Sequence, residues 1–432
     1  MNKADVAPRL RKEITLRHAV ALYVSSVLGS GVLVLPGLAA QIAGPSSLIA
    51  WFVLSLASYP FAYTFGSLSA RKPESGGVYS FAKESFGLHT ATSSAWLFAM
   101  WCITGGPAVT LIAASYLSYA FPLGKTGMYA VAAAILVLAF VINYRGIVFS
   151  NRIQLAVVVS IIVLLLAAVV FSVHAVDLRN FFPFFPNGLL PVGTVASLIF
   201  WSYLGYENVS NVAEEFKNPK RDFRRSIVAS VVVIGTLYIA VAFVTIGTLS
   251  YKEGGSVAPF AAIFSNVFGS YGAIGTAVLA LFIIFGTVNA YTAGMSRVVY
   301  AAARDGGFPN SLSRVNKRTG IPDRSLMALS GSSLFMLFVY YFFNVDLQTA
   351  LLIPSGAAII LYVIGSSAGV KLLSEGKATR ILPWMSLIFS IAILPFVGVL
   401  AVAGIATGLA GFVYSRIVNR AKVSIQIEEA SG

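Results

Sequence analysis

Charge is what this chain has least of. Only 11% of its 432 residues are Asp, Glu, Lys or Arg, against 57% that are hydrophobic, and the mean hydropathy is +0.83. A soluble domain carries about 25% charged residues. Too few are present here to cover a water-facing surface, so lipid is the natural solvent. Cysteine is nearly absent as well. Cys102 stands alone, which excludes an internal disulfide, and its apolar sequence neighbours favour a small packing residue over a reactive thiol. His18, His89 and His174 share no metal-ligand spacing. Zinc-finger spacing and interleaved aromatic and basic residues are also missing, so the net charge of +14 does not point to nucleic acid. The N-terminus is polar and basic, and the first apolar run is too long for the core of a cleavable signal peptide.

What is present is a succession of long apolar runs. A membrane span needs roughly 20 mostly apolar residues. Twelve candidates fall at about 16–43, 46–69, 91–121, 127–143, 153–174, 192–215, 226–249, 272–302, 325–343, 347–370, 380–396 and 398–416. The third and eighth are long enough to tilt. Cytoplasmic loops collect Lys and Arg. With the N-terminus inside, twelve spans leave only Lys125, Arg179 and Lys252 of the 30 basic residues outside. A wrong span count would scramble that division. The expectation is a multi-pass protein of the cell membrane with both termini cytoplasmic. Its basic balance then reflects topology and attraction to anionic lipid. No soluble domain interrupts the chain. The stretch Arg71-Lys72-Pro73-Glu74-Ser75-Gly76-Gly77 is a turn signal, and the amphipathic segment after it is expected to lie along the membrane or re-enter it. The tail from Ala421 is expected to be disordered.

Two spans break the rules of a membrane helix. In the first, Gly29 and Gly31 flank Ser30 near mid-span, and each glycine costs a helix interior about 1 kcal/mol. Local unwinding there would expose backbone N–H groups at the start of a second half-helix, which suits a carboxylate. The other reading is a small-residue face for close helix packing. In the sixth, the run Phe200-Trp201-Ser202-Tyr203-Leu204-Gly205-Tyr206-Glu207 crowds aromatics, a glycine and a carboxylate into mid-membrane. Glu207 is the only carboxylate placed deep in a span, where charge is costly and marks function. It reads either as a proton carrier or as a clamp between two half-helices. Each broken span opens a block of five helices. Paired interruptions at corresponding positions point to an inverted-repeat transporter with its site at the midplane; the leucine-transporter fold is that rule's own example. Opposed helix ends would meet both charges of a zwitterionic amino acid.

Several motifs carry a family resemblance. Leu28-Gly29-Ser30-Gly31-Val32 resembles the glycine-rich break of the amino acid–polyamine–organocation (APC) superfamily, and residues 200–207 resemble its sixth helix. Glu214-Glu215-Phe216-Lys217-Asn218-Pro219-Lys220-Arg221-Asp222 is similar to the loop that follows, and is the most specific match. Arg297 with Arg304-Asp305-Gly306-Gly307-Phe308-Pro309, and Ser75-Gly76-Gly77-Val78-Tyr79, resemble further family segments. Within the family, the bacterial methionine and branched-chain amino-acid exporters look nearest. The resemblance implies an all-α membrane protein with twelve transmembrane helices in a LeuT-type 5+5 inverted repeat. Its parts would be a cytoplasmic tail over 1–15, one repeat over 16–174, the other over 192–370, two further helices over 380–416 and a second cytoplasmic tail over 417–432.

The resemblance also implies roles. Ser30 and Gly31 would bind the substrate carboxylate. The carbonyls of Val27, Trp201 and Leu204 would hold the ammonium. Gly29, Ser202 and Gly205 would complete the site at the breaks, Trp201 would gate it, and Glu207 would couple opening to protonation or brace the broken helices. Some proton-coupled relatives carry a lysine in the fifth helix. Here that helix reads Gln154-Leu155-Ala156-Val157-Val158-Val159-Ser160-Ile161-Ile162, without one. Thr287 and Asn289 offer polar groups in the eighth span, for the pocket or for packing. Aromatic and apolar candidates for the pocket, Tyr203, Tyr206, Met100 and Ile103, favour a neutral, hydrophobic amino acid. No cofactor is implied beyond a proton. The expected partners are the amino acid and the bilayer, and not nucleic acid. A channel would show a polar stripe or charge ring along several spans, and an enzyme a paired nucleophile and base or clustered His, Asp and Glu. The sequence shows neither pattern. A carrier of polyamines or other organic cations in the same fold is the alternative.

Overall fold

Within lipid every backbone polar group must be satisfied inside the segment, which leaves the helix as the available spanning form for a chain of this composition. A computed structural model describes residues 16, 20, 23, 24, 27–71, 77–146, 151–206, 219–252, 254–316, 320–373 and 375–431. All its regular elements among those residues are helical. The α-helices are α1 (Leu35–Ala43), α2 (Ser47–Arg71), α3 (Val78–Phe86), α4 (Leu88–Ala120), α5 (Gly124–Tyr144), α6 (Asn151–Ser172) and α7 (Leu190–Ile199). They continue as α8 (Pro219–Gly247), α9 (Pro259–Phe268), α10 (Ser270–Arg304), α11 (Asp323–Phe342), α12 (Leu347–Leu372), α13 (Lys377–Ile393) and α14 (Ala401–Ser431). Nine helical stretches among the described residues are long and apolar enough to cross a membrane. That is fewer than the twelve spans expected from the sequence. Leu35–Arg71 and Ala378–Val418 each count as one stretch, although the first bends through the 3-10 turn Gly44–Ser46 and the second through Leu394–Leu400, where Gly398 takes a φ of 68°. The apolar stretch Leu190–Tyr203 is shorter than a span.

The core is organised on α4. At 33 residues it is about 50 Å long, more than the roughly 30 Å hydrocarbon thickness requires, and it packs along α10, α12, α14, α5 and α11. The segment after Gly77 is neither extended nor free. As α3 it packs on α4 and α12, with Tyr79 and Ala82 buried against Ala91, Ala95 and Ala302. Lys83 Nζ and the Tyr79 hydroxyl both donate to Asp305 Oδ2 at 2.7 Å, tying α3 to the end of α10. Trp96 Nε1 donates to the Gly307 carbonyl at 2.8 Å and its ring stacks on Phe308, so the Gly306-Gly307-Phe308 turn is pinned to α4. The motif at the end of the eighth span thus has a mechanical role.

Two elements depart from the sequence reading. α9 was not expected: at 10 residues its apolar run is too short for a span, though Pro259 at its first turn is a helix-start signal. The chain before it lies against α1, where a Cβ on Gly37 would come 2.3 Å from the Ser256 carbonyl oxygen. The backbone is also helical to Ser431 where a disordered tail was expected, and neither Gly nor Pro stands between Ala421 and Ser431 to stop it.

Asp305 supplies a pH-dependent prediction. Burial would raise its carboxyl, but the hydrogen bonds from Lys83 and Tyr79 and the nearby Arg304 charge hold it below the usual carboxylate range. A depressed folded-state pKa contributes stability above the unfolded value and loses it as pH falls through the folded one. Asp305→Asn is therefore expected to melt below the wild type at neutral pH, with the gap closing under acid. Thermal unfolding in detergent across pH 3–8 is the measurement.

Candidate functional site

Both suspected breaks are breaks. The described residues of the first span up to Val27 are helical, and the chain then leaves the helix: Leu28 N donates to the Val24 carbonyl at 2.9 Å, and Gly29 is extended at φ −117°, ψ −164°. The chain resumes as the 3-10 turn Ser30–Leu33 before α1. The sixth span runs as α7, narrows to the 3-10 turn Phe200–Tyr203, and becomes extended at Leu204, with ψ 150°. Gly205 then takes a φ of 121°, a conformation open to glycine and strained for other residues. The first N–H groups of a 3-10 turn have no partner within it, so the turn beginning at Ser30 presents donors where the chain has left the helix.

The two breaks touch each other, and glycine makes that possible. A Cβ on Gly31 would fall 2.6 Å from Trp201 Cδ1 and 2.8 Å from Ser202 Oγ. Gly29 differs, since a Cβ there would meet only the Val27 carbonyl oxygen, at 3.9 Å. On its other side Trp201 lies against α4, where a Cβ on Gly105 would come 2.7 Å from Trp201 Cη2. The indole is clasped between two glycines. It meets Trp101 edge-on at 5.8 Å between ring centroids, and Trp101 meets Tyr291 of α10 the same way at 5.6 Å.

A cavity opens at this point. From the breaks it is lined by Val27, Gly29, Ser30, Gly31, Trp201, Ser202 and Leu204, seven of the eight residues expected to bind substrate. Gly205 shapes the break and does not line the cavity. Glu207, expected to couple transport to protons, lies outside the described residues, as does the loop motif over 214–218. Thr287 lines the cavity, whereas Asn289 does not: Asn143 of α5 donates to its side-chain oxygen at 2.8 Å, so it packs α5 onto α10. Among the described residues, none that lines the cavity is charged.

Sequence reasoning missed the far walls. Apart from Thr287, which the sequence did offer, Trp101, Gly105 and Val109 of α4 and Tyr291 and Met295 of α10 line the cavity; with Thr287 they form i, i+4, i+8 stripes, one helix face each. The nominated Met100 and Ile103 sit beside that face and are absent from the lining. Tyr203 and Tyr206 are fully buried elsewhere. The Tyr203 hydroxyl is 2.7 Å from Ser55 Oγ and donates to the Trp51 carbonyl at 3.1 Å, which anchors the sixth-span break to α2. Beside it the Tyr238 hydroxyl of α8 donates to the carbonyls of both breaks, Ser202 at 3.0 Å and Val27 at 3.3 Å.

The fold and the site together define a multi-pass integral membrane protein enclosing a cavity between two interrupted helices, without charge among its described lining residues. Residues 14–418 match the family described as amino acid permease, and the chain belongs to that family. It is 34% identical to an uncharacterized amino acid permease, YecA, of Bacillus subtilis, across 85% of this chain and 87% of the relative. It is 30% identical to the L-methionine/branched-chain amino acid exporter YjeH of Escherichia coli, across 90% and 92%. The branched-chain amino acid permease BcaP of Bacillus subtilis is 28% identical across 82% and 81%. The resemblance drawn from the motifs is thereby established for the family, and these three relatives carry the names of amino acid permeases and an amino acid exporter.

Proposed function

We propose that this protein is a secondary active transporter of neutral, hydrophobic amino acids, working by alternating access as an exchanger or a proton-coupled carrier. The observation that carries the reading is the cavity at the junction of two broken helices, whose described lining residues carry no charge. In it, the N–H groups at Ser30 and Gly31 take the substrate carboxylate, as helix starts do. The carbonyls of Val27, Trp201 and Leu204 take the ammonium. The Val27 carbonyl already accepts from Tyr238 and that of Trp201 from Leu204 N at 3.4 Å, and each oxygen has a second lone pair to offer. Gly29, Ser202 and Gly205 shape the break, and Trp201 closes over the bound molecule. A polyamine or organic cation would call for a carboxylate in the cavity, and none of the described residues that line it is one. The names of YjeH, a methionine and branched-chain amino acid exporter, and BcaP, a branched-chain amino acid permease, lean the same way.

The frame for this chemistry is a twelve-span protein of the cell membrane with cytoplasmic termini. Residues 16–174 and 192–370 form a LeuT-type inverted repeat, and 380–416 supply two further helices. Counterflow in proteoliposomes tests the function. Unlabelled amino acids are loaded one at a time, labelled leucine or methionine is added outside, and a pH gradient is imposed in a parallel set. Accumulation driven by internal neutral amino acids supports the carrier. No accumulation with any amino acid, from folded protein, overturns it. Glu207 is assigned the coupling role. In this reading, Glu207→Gln flattens the pH dependence of transport, and a wild-type pH profile in that variant would leave Glu207 a brace only.

A further inference from the structure

The cavity does not end at the two breaks. It continues past Gly105 and Gly106 of α4 to Leu136 of α5 and to Leu329, Ser330 and Ser333 of α11. The two adjacent glycines meet different surroundings. A Cβ on Gly105 would strike Trp201, whereas one on Gly106 would meet nothing nearer than Leu136 Cδ2 and Ser333 Oγ, both at 3.7 Å. That is ordinary van der Waals separation. Gly106 thus faces Leu136 and Ser333 with room for about one carbon between them.

We propose that this deep compartment, bounded by Cys102, Gly106, Leu136, Leu329, Ser330 and Ser333, receives the substrate's side chain, and that Gly106 and Ser333 set how long that side chain can be. The inference rests on the amino-acid carrier reading and adds a length limit to it. The charged ends of the amino acid are held at the breaks, so the side chain is the part free to project away from them. The compartment walls carry thiol, hydroxyl and apolar groups and no charge, which suits a side chain without charge of its own. Its floor is set by small residues on facing helices, so a single enlargement on either wall shortens it. An added methylene in a close-fitting apolar pocket changes discrimination by roughly 10- to 200-fold.

Gly106 also precedes Pro107, and a side chain before proline is disfavoured in a helix. The test therefore enlarges both walls. Full-length wild type, Ser333→Leu and Gly106→Ala are reconstituted, and counterflow of labelled alanine is competed with unlabelled alanine, valine, leucine, methionine and phenylalanine. The expected result is that Ser333→Leu raises the half-inhibiting concentrations of leucine, methionine and phenylalanine about tenfold or more relative to that of alanine. Gly106→Ala is expected to shift the same profile in the same direction by less. A Ser333→Leu profile parallel to that of the wild type, or an equal loss for alanine and leucine in both variants, overturns the compartment while the carrier stands. No counterflow by the wild type with any amino acid overturns both readings together.

Discussion

Gly31→Val is expected to fold and to carry nothing. The break is crowded on the side to which this side chain would point, with Trp201 Cδ1 2.6 Å and Ser202 Oγ 2.8 Å from even a first added carbon. Those atoms cannot both retreat, because the Trp201 ring is backed by Gly105 on α4, where the clearance for a Cβ is only 2.7 Å. Overpacking a tight site costs about 1–3 kcal/mol, and valine, with two branches beyond its Cβ, lies at the upper end. A loss of substrate affinity on the order of a hundredfold follows, because the strain falls on the donors assigned to the carboxylate and on the aromatic gate together. Gly29→Ala is the control. It belongs to the same break, but its added carbon meets only one atom, at 3.9 Å, so near-normal transport is expected. Isothermal titration or counterflow on the two variants, each checked for a monodisperse elution profile, decides the matter. Equal behaviour of Gly29→Ala and Gly31→Val would show that the glycines serve backbone unwinding generally and not the contact with Trp201.

The contrast between these glycines also shows what the sequence could and could not convey. Both breaks were legible, because glycine, serine and aromatic residues concentrated in mid-span violate the composition of a membrane helix. Which glycine faces the other break was not, since that depends on how two distant segments dock. The walls supplied by α4 were harder still. Apolar and aromatic residues surround that helix, which is buried against several others, so no polar face marks which side is inward. Met100 and Ile103 were as plausible as Trp101 and Gly105 until the register was known. Once Gly105 is placed against Trp201, helical spacing assigns Trp101 one turn before it and Val109 one turn after. α9 was hidden because a 10-residue apolar helix fits neither a span nor a polar loop. Tyr238 was passed over for a related reason. A single tyrosine in an apolar run reads as packing, and its hydroxyl acquires a role only when the two breaks are brought to it.

That role yields the second large effect, in Tyr238→Phe. The Tyr238 hydroxyl donates to the Ser202 carbonyl at 3.0 Å and to that of Val27 at 3.3 Å, and these two residues lie one in each break. Interrupting a helix frees carbonyls that its own N–H groups would have satisfied, and lipid offers no replacement. One hydroxyl shared between two such carbonyls ties the broken segments to each other and to α8. Phenylalanine keeps the ring and its edge-on packing against Trp51, at 5.4 Å, and Tyr203, at 5.3 Å, so no cavity is created. Only the donor is lost. A buried group left without its partner costs about 1–3 kcal/mol, equivalent to a population shift of about tenfold or more between conformations that keep and lose the tie. Because the Val27 and Ser202 segments also line the cavity, the shift is expected in both substrate affinity and the rate of exchange, with a lowered melting temperature beside it. Addition of a high-affinity substrate is expected to restore part of that melting temperature, since ligand binding to the assembled site favours the folded, tied arrangement. A Tyr238→Phe protein with unchanged affinity, exchange rate and melting temperature would mean that the carbonyls of the two breaks find other donors, and that the packing of Trp51, Tyr203 and Tyr238 alone holds the breaks together.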